Sequence, residues 1–297
     1  MKITFTKMQG AGNDYIYVDA TRFCLDNPSR CAQAWSRPHF GIGSDGLVLI
    51  GRSAVADFSM RIFNADGSEA RMCGNASRCI AKYVYDKGLT DKQEITLETL
   101  SGIKTLRLEV HDGRVQAVTV DMGKPVVTHP LTLADKFARL GDEAWFVNMG
   151  NPHVVVFVDD IRKIDLPAAG PLLEQGAMPE GRVNVEFVQP LGADSLRMRV
   201  WERGSGITLA CGTGACASYV AAQASGHCQN PAHVAMDGGT LRIATDPQTG
   251  HVLRTGPADF VFEGEVEEPA GEMPHAGDAS EAPWQPCHCS GTTLPLE

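Results

Sequence analysis

The feature that most constrains the fold is an internal repeat with one constant spacing. The segment MQGAGNDYIYVDA, which begins at Met8, resembles MGNPHVVVFVDD, which begins at Met149. Each has a Gly-Asn turn before an apolar run that ends in Asp, and Asn13 and Asn151 occupy equivalent places 138 residues apart. The segments FNADGSEARMCGN and WERGSGITLACGTGAC add two pairs with the same spacing, Asn64 with Glu202 and Cys73 with Cys211. The chain is therefore predicted to contain two copies of one unit.

Each copy combines one helix with many strands. Ile80 and Val84 share a face of the helix predicted after Cys73, and an alanine-rich run without a helix breaker follows Cys211. Alternating apolar and polar residues predict strands elsewhere, as in IKTLRLEV, VQAVTVDM and DSLRMRVWE. This pattern predicts an α+β fold of two pseudo-symmetric lobes, each a curved mixed sheet around a central helix.

The predicted domain boundaries follow from the repeat and from a change in composition. The N-terminal lobe is expected at 1–124 and the C-terminal lobe at 125–264, whose last strand can return to the first lobe. Residues 265–297 are rich in Pro, Gly, Ala and acids and are predicted to form a disordered acidic tail. The Cys287-His288-Cys289 sequence in this tail lacks the further ligands of a four-coordinate metal site, so we predict no metal there.

The net charge of −10 comes almost entirely from the C-terminal region. Nine of the 36 acids follow Arg254, after which there is no Lys or Arg, so the rest of the chain has 27 acids and 26 bases. No basic patch for nucleic acid is present, and no apolar run approaches the length of a membrane span or a signal peptide. The sequence therefore predicts a cytoplasmic protein that binds neither nucleic acid nor membrane, and a small-molecule partner.

Two cysteines stand at equivalent glycine-containing turns that open the predicted helices. A helix N-terminus presents free N–H groups and a partial positive charge, which lower the pKa of a thiol and hold a carboxylate. Gly74 and Gly212, next to Cys73 and Cys211, are expected to let the backbone approach a ligand. Inverting a carbon requires proton removal on one face and delivery on the other, which two facing thiols can perform. The pattern indicates a racemase or epimerase that uses two cysteines as its acid–base groups.

Other interpretations of the cysteines remain open at this point. Most free cysteines are small buried hydrophobic residues, and Cys79 and Cys216 are expected to pack inside the helices. A zinc site built from these two and the turn cysteines would have unusual spacings. A cysteine hydrolase needs one nucleophilic thiol and leaves the second turn unexplained.

Several segments together resemble the diaminopimelate epimerase family. They are MQGAGNDY, GIGSDGLVLI, RIFNADGSEARMCGN, MGNPH, GRVNVEF, WERGSGITLACGTGAC and TGPA, in order and across nearly all of residues 1–264. The resemblance implies a two-lobed fold and interconversion of LL- and meso-diaminopimelate without pyridoxal phosphate or metal, in the biosynthesis of lysine and of peptidoglycan precursors. It is also compatible with a homodimer.

The resemblance assigns roles to individual positions. It implies that Cys73 and Cys211 are the acid–base thiols, poised by His153 and Glu202. Side chains implied to hold the substrate, mainly at its distal end, are those of Asn13, Asn64, Asn151, Asn184 and Arg203. Backbone amides implied to hold the carboxylate at the reacting carbon are those of Gly74, Asn75, Gly212 and Thr213.

Three alternative functions are left by the residues themselves. A racemase of another amino acid, such as histidine, would share the fold and the thiols, and the retained Asn and Arg side chains favour a substrate with a second charged end. A non-catalytic carboxylate-binding protein would have no need of two equivalent thiols. A racemase dependent on pyridoxal phosphate would need a Schiff-base lysine, for which the sequence offers no distinctive context.

Overall fold

The structure, a computed structural model, describes residues 2–131, 143–177 and 181–269. In this part of the chain, four helices and a short 3₁₀ helix at Ile161–Lys163 accompany one continuous mixed sheet of 18 strands. The elements equivalent to the first copy of the repeat are β1 (Lys2–Gly10), β2 (Asn13–Asp19), α1 (Pro28–Trp35), β3 (Gly46–Gly51), β4 (Phe58–Asn64), β5 (Glu69–Ala70), α2 (Gly74–Asp86), β6 (Glu94–Thr99), β7 (Gly102–His111), β8 (Arg114–Asp121) and β9 (Val126–Leu131). Those of the second copy are β10 (Glu143–Asn148), β11 (Pro152–Phe157), α3 (Leu166–Gly176), β12 (Asn184–Gly192), β13 (Ser195–Glu202), β14 (Gly206–Thr208), α4 (Gly212–Ala224), β15 (Ala232–Met236), β16 (Gly239–Thr245), β17 (Val252–Gly256) and β18 (Asp259–Glu267).

The duplication extends to strand register. Helices α2 and α4 both have 13 residues, and their first residues are 138 apart, as are those of α1 and α3. The parallel pair β2–β3 aligns Ile16 with Leu47, and the parallel pair β11–β12 aligns Val154 with Val185, again with a spacing of 138. The predicted α+β fold with two pseudo-symmetric lobes is confirmed.

Each central helix is enclosed by its own curved sheet. Helix α2 buries Cys79, Ile80 and Val84 completely and packs on β1, β2, β7 and β8. Helix α4 is rich in small residues and packs on strands β10 to β13, β15 and β16. Small side chains allow strands to approach the helix from several sides, so α4 is buried almost all round. Both helices end before a glycine with positive φ, Gly88 and Gly226.

Strand pairings join the two lobes. Strand β18 pairs with β1, aligning Lys2 with Glu267, so the end of the described chain lies against its beginning. Strand β17 pairs with β8, and β9 pairs with β10. Strand β18 runs three residues past the predicted lobe boundary at 264. The remainder of the predicted tail from residue 270, including Cys287-His288-Cys289, lies outside the described residues.

The helices of the described residues bear on the membrane prediction. None of them combines the length and the apolar character that crossing a bilayer requires.

Candidate active site

Cys73 and Cys211 stand immediately before the first residues of α2 and α4, where both adopt extended backbone conformations. The Cys211 sulfur accepts a hydrogen bond from the Gly214 amide at 3.4 Å. Cys211 is buried, whereas Cys73 is half-buried. The prediction that the thiols open two equivalent helices agrees with this placement.

Around Cys73, two amide side chains form a short chain of hydrogen bonds. Asn13 begins β2 and turns its Oδ1 toward the Cys73 sulfur, 3.4 Å away, and toward the Asn75 Nδ2, also 3.4 Å away. The Asn13 Nδ2 donates to Asp45 Oδ2 at 2.6 Å, which fixes the orientation of the amide. Arg78 in turn donates to Asn75 Oδ1 at 2.9 Å.

The equivalent residues around Cys211 make a related chain. Asn151 donates from Nδ2 to Thr213 Oγ1 at 3.3 Å, and Thr213 Oγ1 lies 3.6 Å from the Cys211 sulfur. The ring of His153, fully buried, joins Asn151 Oδ1 at 3.1 Å to Glu186 Oε1 at 2.7 Å. The buried ring therefore links the Asn151 side chain to the carboxylate of Glu186. Among the described contacts, the ring of His153 touches neither the Cys73 sulfur nor the Cys211 sulfur.

The surroundings of Cys211 overturn the expectation that its pKa falls. Burial raises the pKa of the Cys211 thiol well above its ordinary value, and the carboxylates of Glu202 and Glu186 raise it further, while contacts with Thr213 and Gly214 oppose them. Glu202 ends β13 and contacts Cys211, and Thr208 donates a hydrogen bond to its carboxylate. Burial also raises the pKa of Glu202. Desolvation and like charge outweigh the helix N-terminus, so the pKa of the Cys211 thiol is raised rather than lowered.

The residues predicted for the distal end of the substrate lie at strand ends, Asn64 in the first lobe and Asn184 and Arg203 in the second. Asn184 begins β12 and uses its side chain on the backbone, donating to Pro152 O at 3.0 Å and accepting from Arg203 N at 3.0 Å. Arg203 follows β13, and its Nη1 donates to Arg182 O at 3.3 Å. Asn64 ends β4 and donates to Ser68 Oγ at 3.0 Å. Asn184 therefore anchors the loop that carries Arg203.

The loop that carries Arg203 is also fixed by the carboxylate of Glu174, which the sequence analysis did not single out. Glu174 of α3 is buried and accepts from the Trp201 indole at 2.8 Å and the Gly204 amide at 3.2 Å. It also forms an ion pair with Arg182 at 2.5 Å. The signal available in the sequence was a glutamate near the end of an apolar helix. A carboxylate buried there requires hydrogen-bond donors or a cation beside it.

Packing against Arg254 also requires Gly74 and Gly212, while their expected role in the approach of a ligand stays a prediction. A Cβ on Gly74 would lie 1.4 Å from Arg254 Nη2, and a Cβ on Gly212 would lie 1.6 Å from Arg254 Nη1. The guanidinium of Arg254, which comes from β17, therefore lies against the first residue of both helices. The missing side chains accommodate an arginine of this chain.

Two further residues near the thiols were missed. Glu186 interrupts the apolar run NVEFV on β12, and a charge in a buried strand is a recognisable signal. Tyr15 is the first-lobe equivalent of His153 by the spacing of 138, and the Asn13 side chain hydrogen-bonds to it. Burial and the nearby Cys73 raise the pKa of Tyr15 far above its ordinary value.

The described residues offer little to a metal ion. Across 2–131, 143–177 and 181–269, no three or more His, Cys, Asp or Glu side chains converge as a metal site. The four-cysteine zinc site considered above, with Cys79 and Cys216 buried inside their helices, therefore has no support in this geometry.

Comparison with known proteins gives extended similarity along the chain. A chain described as diaminopimelate epimerase from Bacteroides thetaiotaomicron is 59% identical over 266 residues, which cover 90% of this chain and 98% of the relative. One with the same description from Methanococcus maripaludis is 48% identical over 275 residues, covering 89% and 99%.

Solved structures share the fold at much lower identity. A Bacillus anthracis phenazine biosynthesis protein of the PhzF family superposes with a TM-score of 0.70 at 17% identity, covering 90% of this chain and 99% of that protein. An Agrobacterium vitis hydroxyproline epimerase has a TM-score of 0.62 at 16% identity, covering 89% and 92%. The family model described as diaminopimelate epimerase matches residues 5–128 and 145–261. This chain is a member of the diaminopimelate epimerase family.

Proposed function

We propose that this protein interconverts LL- and meso-diaminopimelate, with Cys73 and Cys211 as the two acid–base groups. The observation that carries the mechanism is the pair of thiols at equivalent helix starts, 138 residues apart. Both helices pack on strands of one continuous sheet. The family assignment and relatives described as diaminopimelate epimerases at 59% and 48% identity support the substrate. The product belongs to lysine biosynthesis.

The proton transfer uses one thiolate and one thiol. In one direction the Cys73 thiolate removes the proton from the α-carbon, and the Cys211 thiol delivers its own proton to the opposite face. Cys73 leaves the step as the thiol and Cys211 as the thiolate, so the reverse reaction begins from that state. The raised pKa of Cys211, caused by burial and by Glu202 and Glu186, supports its role as the donor in the first direction.

Charge develops on the substrate carboxylate when the α-carbon loses its proton. The amides at the starts of α2 and α4, at Gly74-Asn75 and Gly212-Thr213, are proposed to bind that carboxylate, because unpaired N–H groups at helix starts stabilise anions. Asn13 and Asn151 would contact the substrate beside the thiols. No step in this scheme needs an electron acceptor, since a proton leaves and a proton returns.

The distal amino-carboxylate end is proposed to lie against the side chains of Asn64 and Arg203. A guanidinium binds a carboxylate through two parallel hydrogen bonds, which discriminates a substrate with a second charged end from one without it. Asn184 contributes by holding the Arg203 backbone, with its Oδ1 3.0 Å from that amide.

The proposal extends to cellular setting and assembly. Seven described cysteines are free thiols, which is the state that a reducing cytoplasm maintains. We place the enzyme there, with a homodimer as the expected assembly, which sedimentation equilibrium can measure.

The deciding experiment is solvent exchange in deuterium oxide. Reduced protein is incubated with LL-diaminopimelate while stereochemistry and α-deuteration are followed by chiral chromatography and mass spectrometry. We expect both to proceed in the wild type, and Cys73→Ala or Cys211→Ala to abolish net inversion with an unchanged circular dichroism spectrum. Cys24→Ala, at an exposed cysteine, is the matched control and should retain full activity.

The outcomes separate the alternatives. Lack of α-exchange with any amino acid would contradict the racemase and leave a binding protein. Exchange with histidine and none with diaminopimelate would contradict the substrate alone. Inversion that survives in Cys211→Ala would contradict the two-thiol mechanism.

A further inference from the structure

Two arginine side chains are buried where the lobes meet, and neither has a carboxylate partner among the described residues. Arg78 of α2 has no exposed surface and Arg254 of β17 is 1% exposed. Arg78 donates only to neutral acceptors, Pro257 O at 3.0 Å, Gly74 O at 3.4 Å and Asn75 Oδ1 at 2.9 Å. Buried arginines are ordinarily paired with anions, because removing a charge from water is costly.

Several guanidinium donors have no hydrogen-bond partner within residues 2–131, 143–177 and 181–269. These are Nε and Nη2 of Arg254 and Nη2 of Arg78, all shielded from solvent. The two cations also lie near each other: burial lowers the pKa of Arg78 to about 10, and the charge of Arg254 contributes to the lowering. Like charges held together in the interior destabilise a fold unless negative charge compensates them.

The position of Arg254 indicates where that negative charge lies. Its Nη2 lies against Gly74 and its Nη1 against Gly212, so one guanidinium lies between the first residues of both helices. The preceding residue in each case is a thiol, Cys73 or Cys211. The helix starts add their own partial positive charge.

The two carboxylates nearby make other contacts, although Oε2 of Glu186 has no hydrogen-bond partner among the described residues. Glu186 pairs with the buried ring of His153 at 2.7 Å, and Glu202 accepts from Thr208 and contacts Cys211. Within the described part of the chain, neither forms an ion pair with Arg254. The thiols that precede Gly74 and Gly212, and a bound anionic ligand, are further sources of negative charge for the two arginines.

The arginines also break the internal symmetry. By the spacing of 138, the equivalent of Arg78 is Cys216 and the equivalent of Arg254 is Gln116. Each lobe therefore contributes one cation, and Arg254 reaches the junction because β17 pairs with β8 of the first lobe, aligning Arg254 with Val120. A single cation therefore lies beside two equivalent helix starts, each of which directly follows a thiol.

We propose that Arg254, supported by Arg78, is a positioning residue whose fixed charge stabilises the anionic forms of Cys73 and Cys211 and a carboxylate bound between the helix starts. The inference rests on the proposed roles of the two thiols. It gives the buried guanidinium a function in the same reaction: negative charge passes from one thiolate to the substrate and on to the other, and the cation remains near it throughout.

The test measures thiol titration without substrate. Rates of alkylation by iodoacetamide at Cys73 and Cys211 are followed against pH by peptide mass spectrometry in the wild type, Arg254→Met and Arg254→Lys. Arg254→Met removes the charge and should move the alkylation midpoints upward by about one pH unit, which lowers the rates at pH 7 about tenfold. Arg254→Lys keeps the charge and should stay near the wild type.

The matched control is Arg242→Met on the adjacent strand β16, where an exposed arginine pairs with Glu109 at 2.7 Å. It should leave both midpoints unchanged. A folded Arg254→Met protein with wild-type midpoints would overturn the proposal, as would an Arg254→Lys protein shifted as far as Arg254→Met. Exchange activity of the wild type, measured in the same series, separates failure of this inference from failure of the proposed function.

A second measurement covers the case in which Arg254→Met does not fold. Wild-type protein labelled with ¹⁵N-arginine gives side-chain resonances, and the one missing from the Arg254→Lys spectrum belongs to Arg254. Addition of LL-diaminopimelate should shift that resonance, because the carboxylate binds beside it. A resonance that stays in place at saturating ligand would overturn the proposal.

Discussion

Replacing Gly74 with alanine puts a methyl group where the Arg254 guanidinium already lies. The added Cβ would be 1.4 Å from Nη2, whereas an ordinary van der Waals contact is 3.4 Å or longer, so the overlap is about 2 Å. A shift of a few tenths of an ångström cannot relieve it. The guanidinium also cannot withdraw along its own plane, because Nη1 lies against Gly212 on the other side.

The expected cost is that of overpacking a rigid interior site. Such insertions typically cost about 1 to 3 kcal/mol, and confinement on both sides puts Gly74→Ala near the upper figure. Alanine favours a helix over glycine by up to about 1 kcal/mol, which opposes the loss without cancelling it. We expect the free energy of unfolding to fall by about 2 to 3 kcal/mol.

Urea denaturation followed by tryptophan fluorescence measures this loss, and a double-mutant cycle assigns it. Gly74→Ala is compared in the wild type and in Arg254→Met, where the guanidinium is absent. In the second background the cost should fall below about 1 kcal/mol, because the two sites are in contact and their effects couple. Gly192→Ala is the matched control: nothing lies within 4 Å of its added Cβ and its φ is not in the left-handed region.

Two results would refute the reasoning. The first is a Gly74→Ala protein whose stability lies within about 0.5 kcal/mol of Gly192→Ala, which is the range of neutral surface changes. The second is an equal cost in both backgrounds, since the methyl group would then be clashing with something other than Arg254.

Two further substitutions test other contacts of the site. The folded pKa of Glu202 lies above its ordinary 4.5 because of burial, so its contribution to stability is present below pH 4.5 and lost as the pH rises through the folded value. As the pH rises from 4.5 through the folded pKa of Glu202, the Glu202→Gln protein should therefore become more stable relative to the wild type, as measured by urea denaturation at each pH. A stability difference that does not change with pH would contradict this. Glu174→Gln removes the charged partner of Arg182 under the Arg203 loop, so KM for diaminopimelate should rise several-fold with a smaller change in kcat. Glu94→Gln, at an exposed ion pair with Arg107, should change neither constant, and an unaltered KM in Glu174→Gln would argue against the positioning of Arg203.

The repeat in the sequence predicted the backbone of the site well. A constant spacing of 138 implies equivalent backbone positions, and Cys73 and Cys211 do open equivalent helices while Asn13 and Asn151 lie beside them. The same logic cannot find residues present in only one copy. Glu186 is equivalent to Val48, so the spacing gave no reason to look for a carboxylate there.

Long-range effects also escaped the sequence analysis. The expected fall in the Cys211 pKa rested on the local helix start, whereas burial and carboxylates from β12 and β13 dominate. Composition placed the start of the tail at residue 265, although Glu265 and Glu267 pair with Thr4 and Lys2 at the opposite end of the chain. Acid-rich sequence is compatible with an exposed strand once a partner strand is present, and composition carries no record of that partner.

The differences between the two copies have a consequence for the proposed reaction. In a site with strict two-fold symmetry, a single shared proton would lie on either thiol with equal probability, so only unmatched neighbours can favour one starting state. The side chains around the thiols break that symmetry: Glu202 stands where the first copy has Asn64, and the buried pair of His153 and Glu186 stands where the first copy has Tyr15 and Val48.

The two equivalent asparagines are also held in opposite senses. Asp45 binds the Asn13 amino group and leaves its oxygen facing Cys73, whereas His153 binds the Asn151 oxygen and leaves its amino group facing Thr213 beside Cys211. Duplication supplies two thiols at matched positions, and these unmatched neighbours let one begin with the proton and the other without it. The carboxylates around Cys211 raise its pKa, so the proton is expected to start on that side.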